Sequence, residues 1–223
     1  MGSGRPEPSF EDEVLRINAR YNREIVEALH VCPFARGARV GGTSVRRVVL
    51  GETLVMAAMV SVIEELEREA AVEVAQVIFP RVVLDARAFQ EFASDLGPVN
   101  AARHAPARPI FVHAAFHPDL PYFSDTPPRL VPFFRRSPDP MIQLVRLCTL
   151  DAVHADKPRG TQFFGGDPGM VLALLAERPE SVTDRITREN HAAAIEGGGL
   201  ARIGAIFGDI LEDRRASYAR YSA

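Results

Sequence analysis

The chain has 223 residues, 47% of them hydrophobic and 25% charged, which are ordinary globular values for a chain long enough to bury a core without staples. A net charge of −3 and a pI near 6.1 offer no basic surface for nucleic acid. Two distant cysteines, Cys32 and Cys148, make no disulfide framework, and the apolar run from Leu54 to Ile63 is shorter than the roughly 20 residues a membrane helix takes.

Residues 1–9 read as a disordered lead, and the acidic stretch from Met1 to Glu13 has no apolar core of the kind a signal peptide carries. From Phe10 to Leu29, Val14, Ile17, Tyr21, Ile25 and Leu29 recur at helical spacing, and Pro33 ends that helix. Gly37, Gly41 and Gly42 form a turn before a strand from Val45 to Leu50. Glu52 to Glu69 is a helix with Leu54, Ala58, Val62, Ile63 and Leu66 inward. Val74 to Leu84 is a second strand interrupted by Pro80, and Asp85 caps a helix from Ala86 to Leu96. Arg108 to Phe116 is the third strand, followed by a proline-rich loop.

Asp139 and Pro140 have the look of an N-cap and first helical residue, which predicts a helix through Val153 with Cys148 in the core. A fourth strand is sought near Gly160 to Phe164. Pro168 to Arg178, Ser181 to Ile195 and Leu200 to Tyr221 are helical. The expected fold is α+β: three or four strands covered by helices in a ferredoxin-like sandwich over residues 10–195, with a helical extension over 196–223 packed on it. Gly204 and Gly208, four apart in the last helix, suit close packing and a homodimer contact.

Chemistry-bearing residues gather on loops after the third strand. His117 titrates near neutrality and is the candidate acid/base, with Asp125 and the thiol of Cys32 as further catalytic candidates. Arg135, Arg136 and Ser137, ahead of the expected helix, suit an anion because arginine forks and a helix N-terminus both bind one. Gln143 and Arg146 are placed on the same helix face, and Phe34 joins them in the substrate-binding set. The structural alternatives are a gap-filling Cys32, a loop-anchoring His117 and arginines paired with Asp125, Asp139 or Asp151. His113 and His117 share a strand face and form an alternative metal pair, with Asp119, Asp125 or His104 nearby. No strong motif names a cofactor: Gly165 to Gly169 lacks phosphate-loop order, and no HExxH, CxxC or serine elbow is present.

Four short motifs, Cys32-Pro33-Phe34-Ala35, Phe116-His117-Pro118, Phe123-Ser124-Asp125-Thr126 and Arg136-Ser137-Pro138-x-Pro140, occur in that order. Their combination resembles the bacterial domain-of-unknown-function family numbered fourteen-fifteen, over roughly residues 12–195. The resemblance implies a shared site and supplies no activity. Asn usually precedes Arg-Ser-Pro in that family, where this chain has Arg135. A histidine generally stands where this chain has Gln143, and none at the position of His113.

The leading expectation is a cytoplasmic enzyme or binder acting on a small anionic metabolite, with His117 as acid/base and Arg136 holding the anion. It requires Cys32 and His117 to lie together. The alternatives are a non-catalytic assembly module that dimerises through the last helix, and a metal- or haem-binding protein using His113 and His117.

Overall fold

Four strands, β1 (Ser44–Val48), β2 (Val74–Ile78), β3 (Phe111–Phe116) and β4 (Met141–Arg146), form one sheet in the order β1-β2-β4-β3. They are seen in a computed structural model that describes residues 7–29, 32, 35–155, 182–195 and 199–221. β1 and β2 run parallel, and β4 is antiparallel to both neighbours. The α+β class and helical cover match the sequence expectation, and the helices lie on both faces of the sheet.

Strand alternation sends Ala75, Val77, Phe111, Ile142 and Leu144 into one core. There they meet Met59, Ile63 and Leu66 of α3 (Met56–Arg68) and Phe89, Ala93 and Leu96 of α4 (Ala86–His104). The opposite face sends Ile78, Phe116 and Met141 into a second core with Val14, Ile17 and Tyr21 of α1 (Phe10–Tyr21). Leu130 and Phe133 of α5 (Pro127–Phe134) and Ile203, Phe207 and Ile210 of the C-terminal helix (Gly199–Tyr218) complete it. Full burial of each valine, leucine, isoleucine, methionine or phenylalanine among them contributes roughly 1.5–3 kcal/mol.

Several boundaries differ from the sequence reading. Residues 141–146 are a central strand and not the first turns of a helix; the helix α6 is Leu147–Ala155. Both faces of β4 are covered, so Met-Ile-Gln-Leu-Val-Arg shows no simple polar–apolar alternation. Asp139 does not cap a helix, because its carboxylate turns to Arg214 and Tyr218, and the Pro140 carbonyl accepts from Phe79 N–H to extend the β2–β4 ladder. Cys148 is exposed on α6, not core.

The proline-rich loop contains α5, and the glycine turn contains α2 (Ala35–Val40) before Gly42, whose φ of 72° suits a residue without a side chain. α4 runs on through Pro98 to His104. Asn100 donates to the Phe111 carbonyl, and Arg103 and His104 pair with Glu67 of α3. Asp85 caps α4 as expected, bonding Ala88 N–H at 2.8 Å. At the other end of the chain, Ser9, the last residue of the lead, forms a capping box for α1 with Asp12.

The expected fourth strand near 160–164 and the helix over 168–178 lie outside the described residues. The helix α7 is Val182–Ile195, and α8 is the C-terminal helix Gly199–Tyr218. Gly204 and Gly208 face outward, with nothing within 4 Å of an added Cβ. No helix among the described residues is long and apolar enough to cross a membrane.

Candidate functional site

β1, β2 and β4 each place one long polar side chain at the same level of the sheet. Arg46 is in register with Gln76, and Gln76 with Gln143. The three therefore share one face in a row, about 4.8 Å from strand to strand. That face is the one covered by α1, where apolar contact otherwise prevails.

Burying polar groups there requires partners. Gln76 and Asn22 supply them reciprocally: Asn22 Nδ2 donates to Gln76 Oε1 at 3.0 Å, and Gln76 Nε2 donates to Asn22 Oδ1 at 2.9 Å. Asn22 also donates to the carbonyl and side chain of the buried Asn18. Asn22 opens a π-helical segment, Asn22–Glu27, that prolongs α1. Its wider turn changes which residues follow the α1 face, a device frequent at functional sites.

Over this row lies a pocket of about 210 Å³. Its wall includes Asn22, Arg23 and Glu27 of the π segment, Cys32, Arg39 of α2, and Arg46, Gln76 and Gln143 of the sheet. Arg39 is spent on Glu27, which it grips through Nε at 2.6 Å and Nη2 at 2.7 Å; the guanidinium holds that carboxyl below its usual range. Arg46 is different. It is half-buried; among the described residues its one hydrogen bond is a 3.4 Å contact to the Leu15 carbonyl, and it meets no carboxylate. Desolvation, then the charges of Arg23 and Arg39, push its pKa down. Gln143 makes no side-chain hydrogen bond among the described residues. The pocket thus offers cationic and amide groups with bonding capacity to spare.

Of the described residues singled out in the sequence, Cys32 and Gln143 line this pocket, and the others lie elsewhere. His117 is 3% exposed and fully engaged by backbone. Its Nε2 lies 3.0 Å from the Leu84 carbonyl, and its Nδ1 accepts from Asp119 N–H at 3.2 Å, a pattern that fits the Nε2–H tautomer. The ring packs on Phe89, in the core on the face away from Cys32. The expectation that Cys32 and His117 converge is therefore overturned: strand parity and the His117-Pro118 turn send them to opposite sides of the sheet.

Arg136 donates to the Pro118 carbonyl at 2.7 Å and lies over the rings of Phe207 and Tyr122. The Ser137 hydroxyl donates to the Asp139 carbonyl. Arg135 ends α5, and its carbonyl accepts from His117 N–H at 3.1 Å. With a strand following, the helix N-terminus invoked for these residues does not exist. Asp125 is exposed and paired with Arg129.

Arg146 points away from Gln143, across the sheet. There it donates to the carbonyls of Val72, Leu66 and Glu69 at the end of α3 and lies 4.7 Å over Phe111. His113 Nε2 sits 2.7 Å from the Ala93 carbonyl, and His104 is joined to Glu67. No group of three His, Cys, Asp or Glu placed to hold a metal occurs among the described residues. Phe34 lies outside the described residues.

Sequence reasoning passed over Arg46, Gln76, Asn22 and Arg23. A glutamine in the middle of the apolar strand Val-Ala-Gln-Val-Ile was the available signal, since a buried amide needs an explanation. A second depression of about 740 Å³, between Phe10, Arg81, Val83, Tyr218 and Tyr221, is more open, and its tyrosine hydroxyls are already bonded to Asp139 and to the Pro8 carbonyl.

The family model described as Protein of unknown function (DUF1415) matches residues 14–164. The chain belongs to that family. No curated protein and no solved structure matches it. The matched region contains the whole sheet and every pocket-lining residue named above, whereas α8 follows it.

Proposed function

We propose that this chain binds a small anionic molecule in the pocket over the Arg46–Gln76–Gln143 row. The observation that carries the reading is Arg46, a half-buried guanidinium without a carboxylate partner among the described residues. Burying an unpaired charge is costly, and a ligand carboxylate, phosphate or sulfate would offset that cost with charge-assisted hydrogen bonds. Gln143 and the second N–H of Gln76 add neutral donors that orient the anion. Cys32 and Ser44 are the nucleophile-bearing side chains on the wall, so chemistry on the bound molecule would fall to them.

In this reading the loop residues His117, Arg136, Ser137 and Asp139 hold the scaffold and do not touch the ligand. Their support is the set of backbone and side-chain bonds already described.

A thermal-shift screen against small carboxylates, phosphates and sulfate tests the proposal, with wild type and Arg46→Gln side by side. A ligand at a hundred times its dissociation constant adds about 2.7 kcal/mol of stability. For a chain of this size that corresponds to a rise of roughly 5–10 °C. The expected result is a rise with one anion class that is lost in Arg46→Gln. A rise of equal size in both proteins would overturn the assignment of the site.

A further inference from the structure

Resting on the anion-binding reading above, the geometry points to a narrower ligand class: we infer that the pocket takes a phosphate monoester in its dianionic form, the phosphoryl group lying between Arg23 and Arg46. Three arginines, Arg23, Arg39 and Arg46, line the pocket, and one carboxylate, Glu27, faces them. Glu27 is gripped by both nitrogens of the Arg39 fork, so its hydrogen bonds are spent on that guanidinium, with Arg36 and Arg23 acting on it only through space. The remaining two positive charges belong to Arg23, exposed on the π segment, and Arg46, half-buried on β1 below it. Neither is hydrogen-bonded to a carboxylate among the described residues. A ligand with two negative charges balances them.

The placement of the charges favours one doubly charged group over two separate ones. Arg23 lies close enough to Arg46 to disfavour its charged form, as does Arg39. Crowded like charges are relieved most by a single dianionic centre between them. A phosphate also presents three terminal oxygens in different directions, which suits donors that come from a helix above and a sheet below. Arg46 supplies a planar fork, and Gln76 and Gln143 supply amide N–H groups one strand and two strands away. The volume of about 210 Å³ equals that of roughly seven waters at about 30 Å³ each, enough for a phosphoryl group and a short polar chain.

The test uses the whole chain and four probes: inorganic phosphate, glycerol phosphate, succinate and sulfate, titrated calorimetrically at pH 5.5 and 7.5. A phosphate monoester with its second pKa near 6 is about one quarter dianionic at the lower pH and almost wholly so at the higher. The expected result is affinity for glycerol phosphate about fourfold tighter at pH 7.5, with sulfate, doubly charged at both, unchanged. The described ionisable or charged groups facing the bound group are Glu27 and Arg23 from the π segment, Cys32, Arg39 from α2 and Arg46 from β1. A parallel change with sulfate would assign the pH effect to the protein and overturn this part of the inference.

Arg23→Gln, on an exposed position, should weaken glycerol phosphate at least tenfold while leaving the melting temperature of the free protein unchanged. That variant keeps the test informative if Arg46→Gln folds poorly. Succinate binding as well as glycerol phosphate, without a pH effect, would overturn the phosphate inference and leave the anion site standing. Failure of every probe to bind would overturn both.

Discussion

Replacing the buried His117 by alanine would remove its bonds to the Leu84 carbonyl and the Asp119 N–H, two residues that are themselves exposed, and open a gap beside Phe89. Each lost hydrogen bond costs about 1 kcal/mol and the gap left by a buried ring adds to them, so a loss of roughly 3 kcal/mol is expected in urea unfolding. Anion binding by the folded fraction should be unchanged. Loss of binding at unchanged stability would contradict the scaffold role. Gln143→Leu is the mirror case: its amide has no partner among the described residues, so stability should hold within about 1 kcal/mol while anion affinity falls.

Buried Asp139 offers a sharper contrast. Burial pushes its carboxyl up against the opposing pull of Arg214 and Tyr218. Arg214→Gln would strand that charge, costing about 3–5 kcal/mol at pH 7. A raised pKa in the folded state means that protonation favours folding, and the stability it contributes is lost as pH rises through the folded value. The Arg214→Gln defect should therefore shrink as pH is lowered from 7 to 5, a trend that melts across that range would reveal; a defect that grows on acidification would contradict it.

At the level of elements, α8 is fastened to α1 by Arg16 and Arg20, which bond Asp213 at 2.7–2.8 Å, and Arg20 also reaches Asp209 at 2.6 Å. The bond from Arg16, reinforced by Arg20, holds the Asp213 carboxyl at about 2. The sign is that of a depressed acid: its contribution is full above the ordinary carboxyl pKa near 4 and is lost as pH falls toward 2. Loosening of α8 in that window, read by hydrogen exchange, should be absent in Asp213→Asn, which has already lost the charge. An identical acid response in the variant would place the effect elsewhere.

The same elements show what sequence could disclose. α1, α3 and α8 have one apolar stripe each, β2 and β3 were visible as apolar runs between turn residues, and β1 as the valine-bearing segment that follows a glycine turn. β4 was hidden because a strand covered on both faces has no period-two polarity, and because Asp139-Pro140 imitates a helix start. That one misreading carried Gln143 and Arg146 onto a common face, when parity puts them on opposite sides of the sheet. The site residues were harder still. Arg46, Gln76 and Gln143 are remote in sequence, and only strand order and register bring them into a row.

For the molecule as a whole, the sheet divides labour between its faces. One face, under α3 and α4, is apolar and is closed at the margin by Arg146, whose guanidinium gathers three carbonyls at the end of α3. The other begins as a core beneath α1, α5 and α8 and ends in the polar row and its pocket. The loop from His117 to Asp139 pins these layers together, and α8 completes it by bringing Arg214 and Tyr218 to Asp139. Most of the loop residues that attract attention in the sequence are thus consumed in assembly, whereas Arg46 and Gln143 in the strands and Arg23 on the π segment keep bonding capacity.

The measurement that tests this division most directly is a titration of isotope-labelled protein with glycerol phosphate, following both backbone amides and the side-chain amides of Asn and Gln by NMR. The account predicts that the side-chain signals of Gln76, Gln143 and Asn22 and the backbone of the π segment shift with one common saturation curve, while His117 to Ser137 stay in place. Shifts confined to that loop, or none anywhere, would contradict it.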